Sequence, residues 1–189
     1  MKEHVLGRRR GQSLVEFAIT LPFILVMISG LIEFGFLLNA YLDVVDVSRE
    51  VARRAADGDP DRVAFYQEAS DTAVQLVDEG IGQIRFNAAT DDIVISAFRF
   101  DGLKVKRIPG EVGWSAFGHH GTKMHTQEVV KQLKEIRAQL SSAPDTGVVL
   151  VEVFYHYQSR LGLPWITALL GDPVELHAFS FAPNRSVDP

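Results

Sequence analysis

Residues 17–42 read FAITLPFILVMISGLIEFGFLLNAYL, and they decide between a soluble chain and one held in a lipid bilayer. Residues 17–32 carry no charge; Glu33 interrupts, and residues 34–38 are apolar or glycine again. As one helix the 26 residues span about 39 Å, enough to cross a hydrocarbon core of about 30 Å with some tilt. A buried core helix is the alternative. Such a helix carries a polar stripe at 3.6-residue spacing, which this run lacks.

The flanks give a direction. Lys2, Arg8, Arg9 and Arg10 precede the run, and Asp43 and Asp46 follow it. The positive-inside rule places Met1 in the cytoplasm and the chain beyond residue 42 outside. A secretory signal would share the basic start but has a shorter apolar core ending in small residues. Ile32-Glu33-Phe34 is no such site, so a retained span is expected.

Glu16 and Glu33 are the costly residues in this setting. Glu16 lies near the cytoplasmic edge, within reach of headgroups. An ionised group at mid-span costs roughly 2–3 kcal/mol, so Glu33 is expected to face protein rather than lipid. Ser29-Gly30 and Gly35 offer small surfaces for close helix approach. Pro22 removes one backbone donor and is expected to kink or loosen the helix.

The run Arg8-Arg9-Arg10-Gly11, Gln12 to Val15, Glu16-Phe17, then Pro22 and Gly30-Leu31-Ile32-Glu33-Phe34-Gly35, resembles the TadE-like pseudopilins of the tight-adherence (Tad, type IVb) pilus assembly system. Ser48-Arg49-Glu50-Val51-Ala52-Arg53 resembles the Ala-Arg-Glu-Gly-Ala-Arg stretch often found after the span in that family, with Val51 in place of glycine. Phe17 stands where the major pilins prefer tyrosine. The resemblance covers residues 8–56 and is only topological beyond them. It implies cleavage after Gly11 by prepilin peptidase, a membrane aspartyl protease. Gln12 would become the new N-terminus, and Glu16 would meet the N-terminal amine of a neighbouring subunit. Two opposite charges in a low-dielectric bundle are costly alone and tolerable together. Cyclisation of an N-terminal glutamine would remove that amine charge. The resemblance also implies a minor subunit, because the major pilins of the system are much shorter chains. The partners implied are the membrane, prepilin peptidase, other pilin-like subunits and Tad assembly proteins. The location implied is the cytoplasmic (inner) membrane, or a filament at the surface.

These readings divide the chain into a basic leader (residues 1–11), a transmembrane helix (12–42) and an extracytoplasmic α+β domain (43–189) that begins with a helical stem (43–56). The 189 residues suit one modest domain on a membrane helix. The whole chain carries a formal charge of −5; the leader holds four basic residues and one acid, +3, so the remainder is at −8. That acidity argues against nucleic acid as a partner. With no cysteine, thiol catalysis, disulfides and cysteine-held clusters are excluded.

Along the outer portion, residues 42–56 read as helix with Leu42, Val45, Val51 and Ala55 on one side. Asp57-Gly58-Asp59-Pro60 breaks it, and Asp59-Pro60 suits an N-cap and first turn. A second amphipathic helix is expected over 61–79, with Tyr66, Ala69, Ala73, Leu76 and Val77 inward, ended by Gly80 and Gly82. Residues 93–100 and 103–108 read as a hairpin turning at Asp101-Gly102. Residues 109–122 read as a long loop. A helix follows over 126–140, with Val129, Val130, Leu133, Ile136 and Leu140 on its apolar side. Pro144-Asp145 turns the chain, and 148–157 and 174–181 read as strands. Helices followed by antiparallel strands make an α+β domain: a small, mostly antiparallel sheet packed on helices, with the N-terminal helix as its stem.

No signature of catalysis appears: no Gly-x-Ser-x-Gly elbow, no His-Glu-x-x-His and no Gly-x-x-x-x-Gly-Lys loop. No cofactor and no enzyme activity are expected. His119, His120 and His125 match no standard zinc spacing and read as solvated loop histidines, while His156 and His177 fall on strands. Asp91-Asp92 and Asp59/Asp61 lie at element starts, where termini account for them. Candidate contact surfaces are the loop Trp114-Ser115-Ala116-Phe117, the apolar segment 161–170 with Trp165, and the charged stem residues Arg49, Glu50, Arg53 and Arg54. The alternatives are that the two apolar segments complete the core and that the charges solvate the stem. For the whole chain the alternatives are a membrane-anchored enzyme or ligand-binding protein with an uncleaved helix, and a pilin-like subunit of another secretion machine.

Overall fold

The computed structural model describes residues 6–80, 82–101, 104–139 and 147–184. The expected turns at Asp101-Gly102 and Pro144-Asp145 fall wholly or partly outside them, as do the side chains of Arg8, Arg9, Arg10, Leu133, Ile136 and Leu140. The chain divides into two compact units: Met1–Leu38 with Gln158–Asp172, and Asn39–Tyr157 with Pro173–Pro189.

Helix α1 (Leu6–Ala55) runs from the first unit into the second and continues through Pro22. In its first part, residues 12–28 are exposed on every side, and from Phe17 to Ile28 Thr20 alone is polar. Hydroxyls there bond the helix's own carbonyls, Thr20 Oγ1 to the Glu16 oxygen at 2.8 Å and Ser29 Oγ to that of Val26 at 3.0 Å, so both donors are satisfied within the helix. The first unit is completed by helix α4 (Pro164–Leu170), whose N-terminal proline is pre-set for the first turn.

In the second unit, the end of α1 buries Val44, Val47, Ser48, Val51 and Ala55. This stripe is rotated from the expected one. Leu42 is exposed and Val45 only half-buried, because the i, i+3, i+4, i+7 series that meets the core starts at Val44. Helix α2 (Val63–Asp78) buries the expected Tyr66, Ala69, Ala73, Leu76 and Val77, together with Phe65 and Ser70. Its start differs from expectation. Asp59 does not cap the helix; its Oδ1 accepts the Asp61 N–H at 3.0 Å in an Asx-type turn, and the helix begins after Arg62. Gly80, at φ +91°, ends it in the left-handed region.

Among the described residues, five strands make one antiparallel sheet: β1 (Asp92–Asp101), β2 (Lys104–Ile108), β3 (Trp114–Ser115), β4 (Val148–Tyr157) and β5 (Val174–Pro183). The order is β2-β1-β4-β5, and β3 pairs with β1 through Val94↔Ser115 and Ile95↔Trp114. The stretch expected as loop over 109–122 therefore contributes a short strand. The α+β expectation holds: a long N-terminal apolar helix, further helices and a small antiparallel sheet.

Alternation sorts the sheet into two faces. Ile93, Ile95 and Ala97 of β1 pair with Val153, Val151 and Val149 of β4, all almost fully buried. Arg99 of the same β1 face reaches Asp61 ahead of α2 at 2.6 Å, in line with α2 packing against this strand. The opposite face has two zones. Phe98 and Leu150 meet Met124 and Val129, the latter on helix α3 (Thr126–Gln139), in an apolar cluster. The other zone holds Asp92, Glu152, Phe154, His156, Glu175 and His177.

Candidate functional site

In the first unit the acids behave oppositely. Glu16 is exposed, and its Oε1 accepts from Gln12 Nε2 one turn earlier at 3.2 Å. Glu33 is completely buried. Its Oε1 accepts the Arg160 N–H and its Oε2 the Leu161 N–H, each at 2.9 Å. A carboxylate taking two backbone donors is well satisfied, so the residue expected to face protein does so within its own chain. The Arg160 guanidinium lies 5.7 Å from the centre of the Phe36 ring.

Gly30 and Trp165, assigned separately to helix packing and to subunit contact, meet here. A Cβ on Gly30 would stand 2.8 Å from Trp165 Cη2, so only glycine lets the indole lie against the helix. Gly35 has open space at the same test. On α4, Leu169 and Leu170 are exposed, at 76% and 45%.

The charged stem residues pair along their own helix. Glu50 accepts from Arg53 Nε at 2.8 Å and Nη2 at 2.6 Å, and from Arg54 Nε at 2.8 Å. These bonds, Arg53 first, pull the Glu50 carboxyl down to about 2. Arg49 lies 3.7 Å from Asp46, and both are exposed.

In the second unit, buried carboxylates organise the loop between β3 and α3. Asp92 Oδ2 accepts from Ser115 Oγ at 2.6 Å and from the His119 and His120 N–H groups at 2.9 and 2.7 Å. Its Oδ1 accepts the N–H groups of Ile93 and Phe117 at 2.8 and 3.1 Å. Burial opposes the charge, but these donors outweigh it and hold the carboxyl below its ordinary range. Glu152, fully buried, accepts from the Thr122 hydroxyl, from the Lys123 N–H at 2.9 Å, and lies 3.2 Å from His177 Nε2. Asp91 Oδ1 meets the His156 N–H at 2.8 Å and its Nδ1 at 3.1 Å. Asp91-Asp92 thus acts as a hydrogen-bond hub and not merely as a strand start. The Lys123 ammonium is hydrogen-bonded to Glu175, which holds that carboxyl below its ordinary range against a smaller burial penalty.

The histidines separate. His119 Nε2 lies 2.9 Å from the Ala88 carbonyl oxygen, and His125 supplies its carbonyl to the first turn of α3. His120 is not a solvated loop residue. Its ring stacks on Phe154 with centroids 4.4 Å apart and 12° between planes. Beside it stand His156 and Glu175. Sequence reading grouped His120 with its chain neighbours; the partner across the sheet has no signal in spacing, although the alternation of β4 and β5 put His156 and Glu175 on pleated strands. Trp114 lies 6.0 Å from Tyr66 between ring centroids, and Phe117 lines an open groove of about 690 Å³ with Phe86, Val74 and Asp71.

Among the described residues these features define an N-terminal helix long and apolar enough to cross a membrane, continuing into an α+β domain. Residues 11–53 match the family model described as TadE-like protein, the family the sequence resembles. The match covers the apolar helix and most of the stem. No curated protein matches the chain significantly, and no solved structure does.

Proposed function

We propose that this chain is a minor pilin-like subunit, a pseudopilin, that assists assembly of a Tad pilus through helix packing and protein contacts rather than catalysis. It inserts in the cytoplasmic membrane with its N-terminus inside and residues 43–189 outside. Prepilin peptidase removes residues 1–11, and the mature chain begins at Gln12. From Gln12 to Ile32 is 21 residues, about 31 Å of helix, close to the thickness of a hydrocarbon core. Glu33 then sits at the outer edge, sealed by the N–H groups of Arg160 and Leu161. Trp165 beside Gly30 and the exposed Leu169 and Leu170 suit the bilayer interface, where tryptophan is favoured. Glu16 is the exposed acid on the apolar helix and so the one left to meet a neighbouring subunit's N-terminal amine. The partners are prepilin peptidase, other pilin-like subunits and Tad assembly proteins.

The observation that carries this reading is the family match beginning at Gly11, on a helix whose apolar surface the described residues leave uncovered. Mass spectrometry of the N-terminus of protein taken from assembled pili or from membranes is the test. A start at Gln12, abolished together with pilus assembly by Gly11→Trp, is the expected result. An intact Met1 on the functional protein would reduce the helix to an uncleaved anchor and end the pseudopilin reading.

A further inference from the structure

We propose that His120, His156 and Glu175 form a binding site for a divalent transition ion of the zinc type. One ligand atom from each residue lies within 4.8 Å of the other two. His120 Nε2 stands 3.5 Å from Glu175 Oε2, and His156 Nε2 stands 4.0 Å from the same oxygen. Tetrahedral bonds of roughly 2.0–2.1 Å place neighbouring ligand atoms about 3.4 Å apart. The two nitrogen–oxygen distances already lie within about 0.6 Å of that spacing, and an ion would draw the two imidazoles together. Two imidazole nitrogens and one carboxylate oxygen make a donor set that zinc accepts, with a fourth position left for water.

The framework is stiff where it needs to be. His156 and Glu175 are direct cross-strand partners on β4 and β5, so their approach is set by the sheet ladder. The His120 ring is fixed by stacking on Phe154, two residues before His156 on the same face of β4. His120 and His156 are mostly covered, with side chains 20% and 21% exposed, while Glu175 is 36% exposed and gives a path from solvent.

The groups behind the ligands fit the same chemistry. A histidine that binds metal through Nε2 carries its proton on Nδ1, and an oxygen acceptor there fixes the tautomer and orients the ring. His156 Nδ1 has Asp91 Oδ1 at 3.1 Å. His120 Nδ1 is buried without a hydrogen-bond partner and has Asp92 Oδ2 at 4.0 Å. A slight turn of the His120 ring toward an ion would serve both ends. Lys123, bonded to Glu175 Oε1, leaves Oε2 toward the histidines. By tying the loop residue His120 to both strands, the ion would lock the loop between β3 and α3 onto the sheet.

The experiment uses full-length protein in detergent, without a polyhistidine tag, stripped with a chelator and titrated with zinc by calorimetry. One equivalent should bind, and His156→Gln and Glu175→Gln should each weaken binding at least tenfold. His119→Gln should leave it unchanged, since that ring faces Ala88. Cobalt should give the intense visible bands of a tetrahedral centre, lost in the same two variants. Absence of saturable one-to-one binding in the wild type would overturn the proposal, as would wild-type affinity in folded Glu175→Gln. If His156→Gln fails to keep its circular dichroism, His120→Gln takes its place with the same expected loss.

Discussion

Glu33 Oε2 accepts the backbone N–H of Leu161 at 2.9 Å, joining two residues 128 positions apart. The companion bond from Arg160 to Oε1 has the same length, so one buried side chain holds a whole turn of backbone against the helix. The acid that disrupts the apolar run in sequence is, in the fold, the acceptor for two successive backbone N–H groups of a distant segment.

Replacing Glu33 by Ala removes both acceptors and strands two part-buried donors, at a cost of about 1–3 kcal/mol for each donor kept from water. The segment 158–163 should loosen, and trypsin should cut after Arg160 faster than in the wild type. Equal cleavage rates in micelles would show that the bonds do not hold the segment.

Gly30→Leu places side-chain atoms where the Trp165 ring lies. The indole must move out, so the fluorescence of Trp165, read in a Trp114→Phe background, should shift to the red. Gly35→Leu, with open space at its Cβ, should leave it unmoved. An identical spectrum for Gly30→Leu would place the ring elsewhere.

Asp92→Asn replaces a carboxylate that gathers five donors by an amide with a single acceptor oxygen. Removing partners from charged hydrogen bonds costs about 1–3 kcal/mol and more when several are affected. Hydrogen exchange at residues 115–121 should speed up at least tenfold, while β4 stays protected. Unchanged exchange in that loop would mean its order comes from elsewhere.

The ion pairs of Glu50 with Arg53 and Arg54 carry a pH signature. The folded carboxyl titrates at about 2, below its ordinary 4.5, so its contribution is complete above 4.5 and disappears as pH falls toward 2. Because the pairs are exposed, the contribution is small. Glu50→Gln should melt slightly below the wild type at pH 7, and the difference should vanish near pH 2. A gap that persisted in acid would point to packing of the side chain rather than its charge.

Much of the architecture could be read from local pattern. Tyr66, Ala69, Ala73, Leu76 and Val77 repeat at helical spacing, and all five are buried as expected. The alternation of β4 and β5 marked them as strands. Asp59 was misread because an Asx turn and an N-cap share one local signature, and the choice depended on where Tyr66, bonded through its hydroxyl to the Pro60 carbonyl, had to dock. The stem stripe was misread because a helix's own sequence leaves its rotation free within one residue until a core is packed against it.

The sequence by itself determined that residues 17–32 form an apolar helix with acids at its two ends, because hydropathy and length are properties of a contiguous run. It also determined the α+β class, since helical and strand periods are written in local spacing. Only the tertiary structure decided that Glu33 is sealed by Arg160 and Leu161, that Trp165 lies on Gly30, and that His120 stands beside His156 and Glu175. Those pairings depend on strand register and on where loops return, which are set by contacts between distant residues that no single stretch encodes.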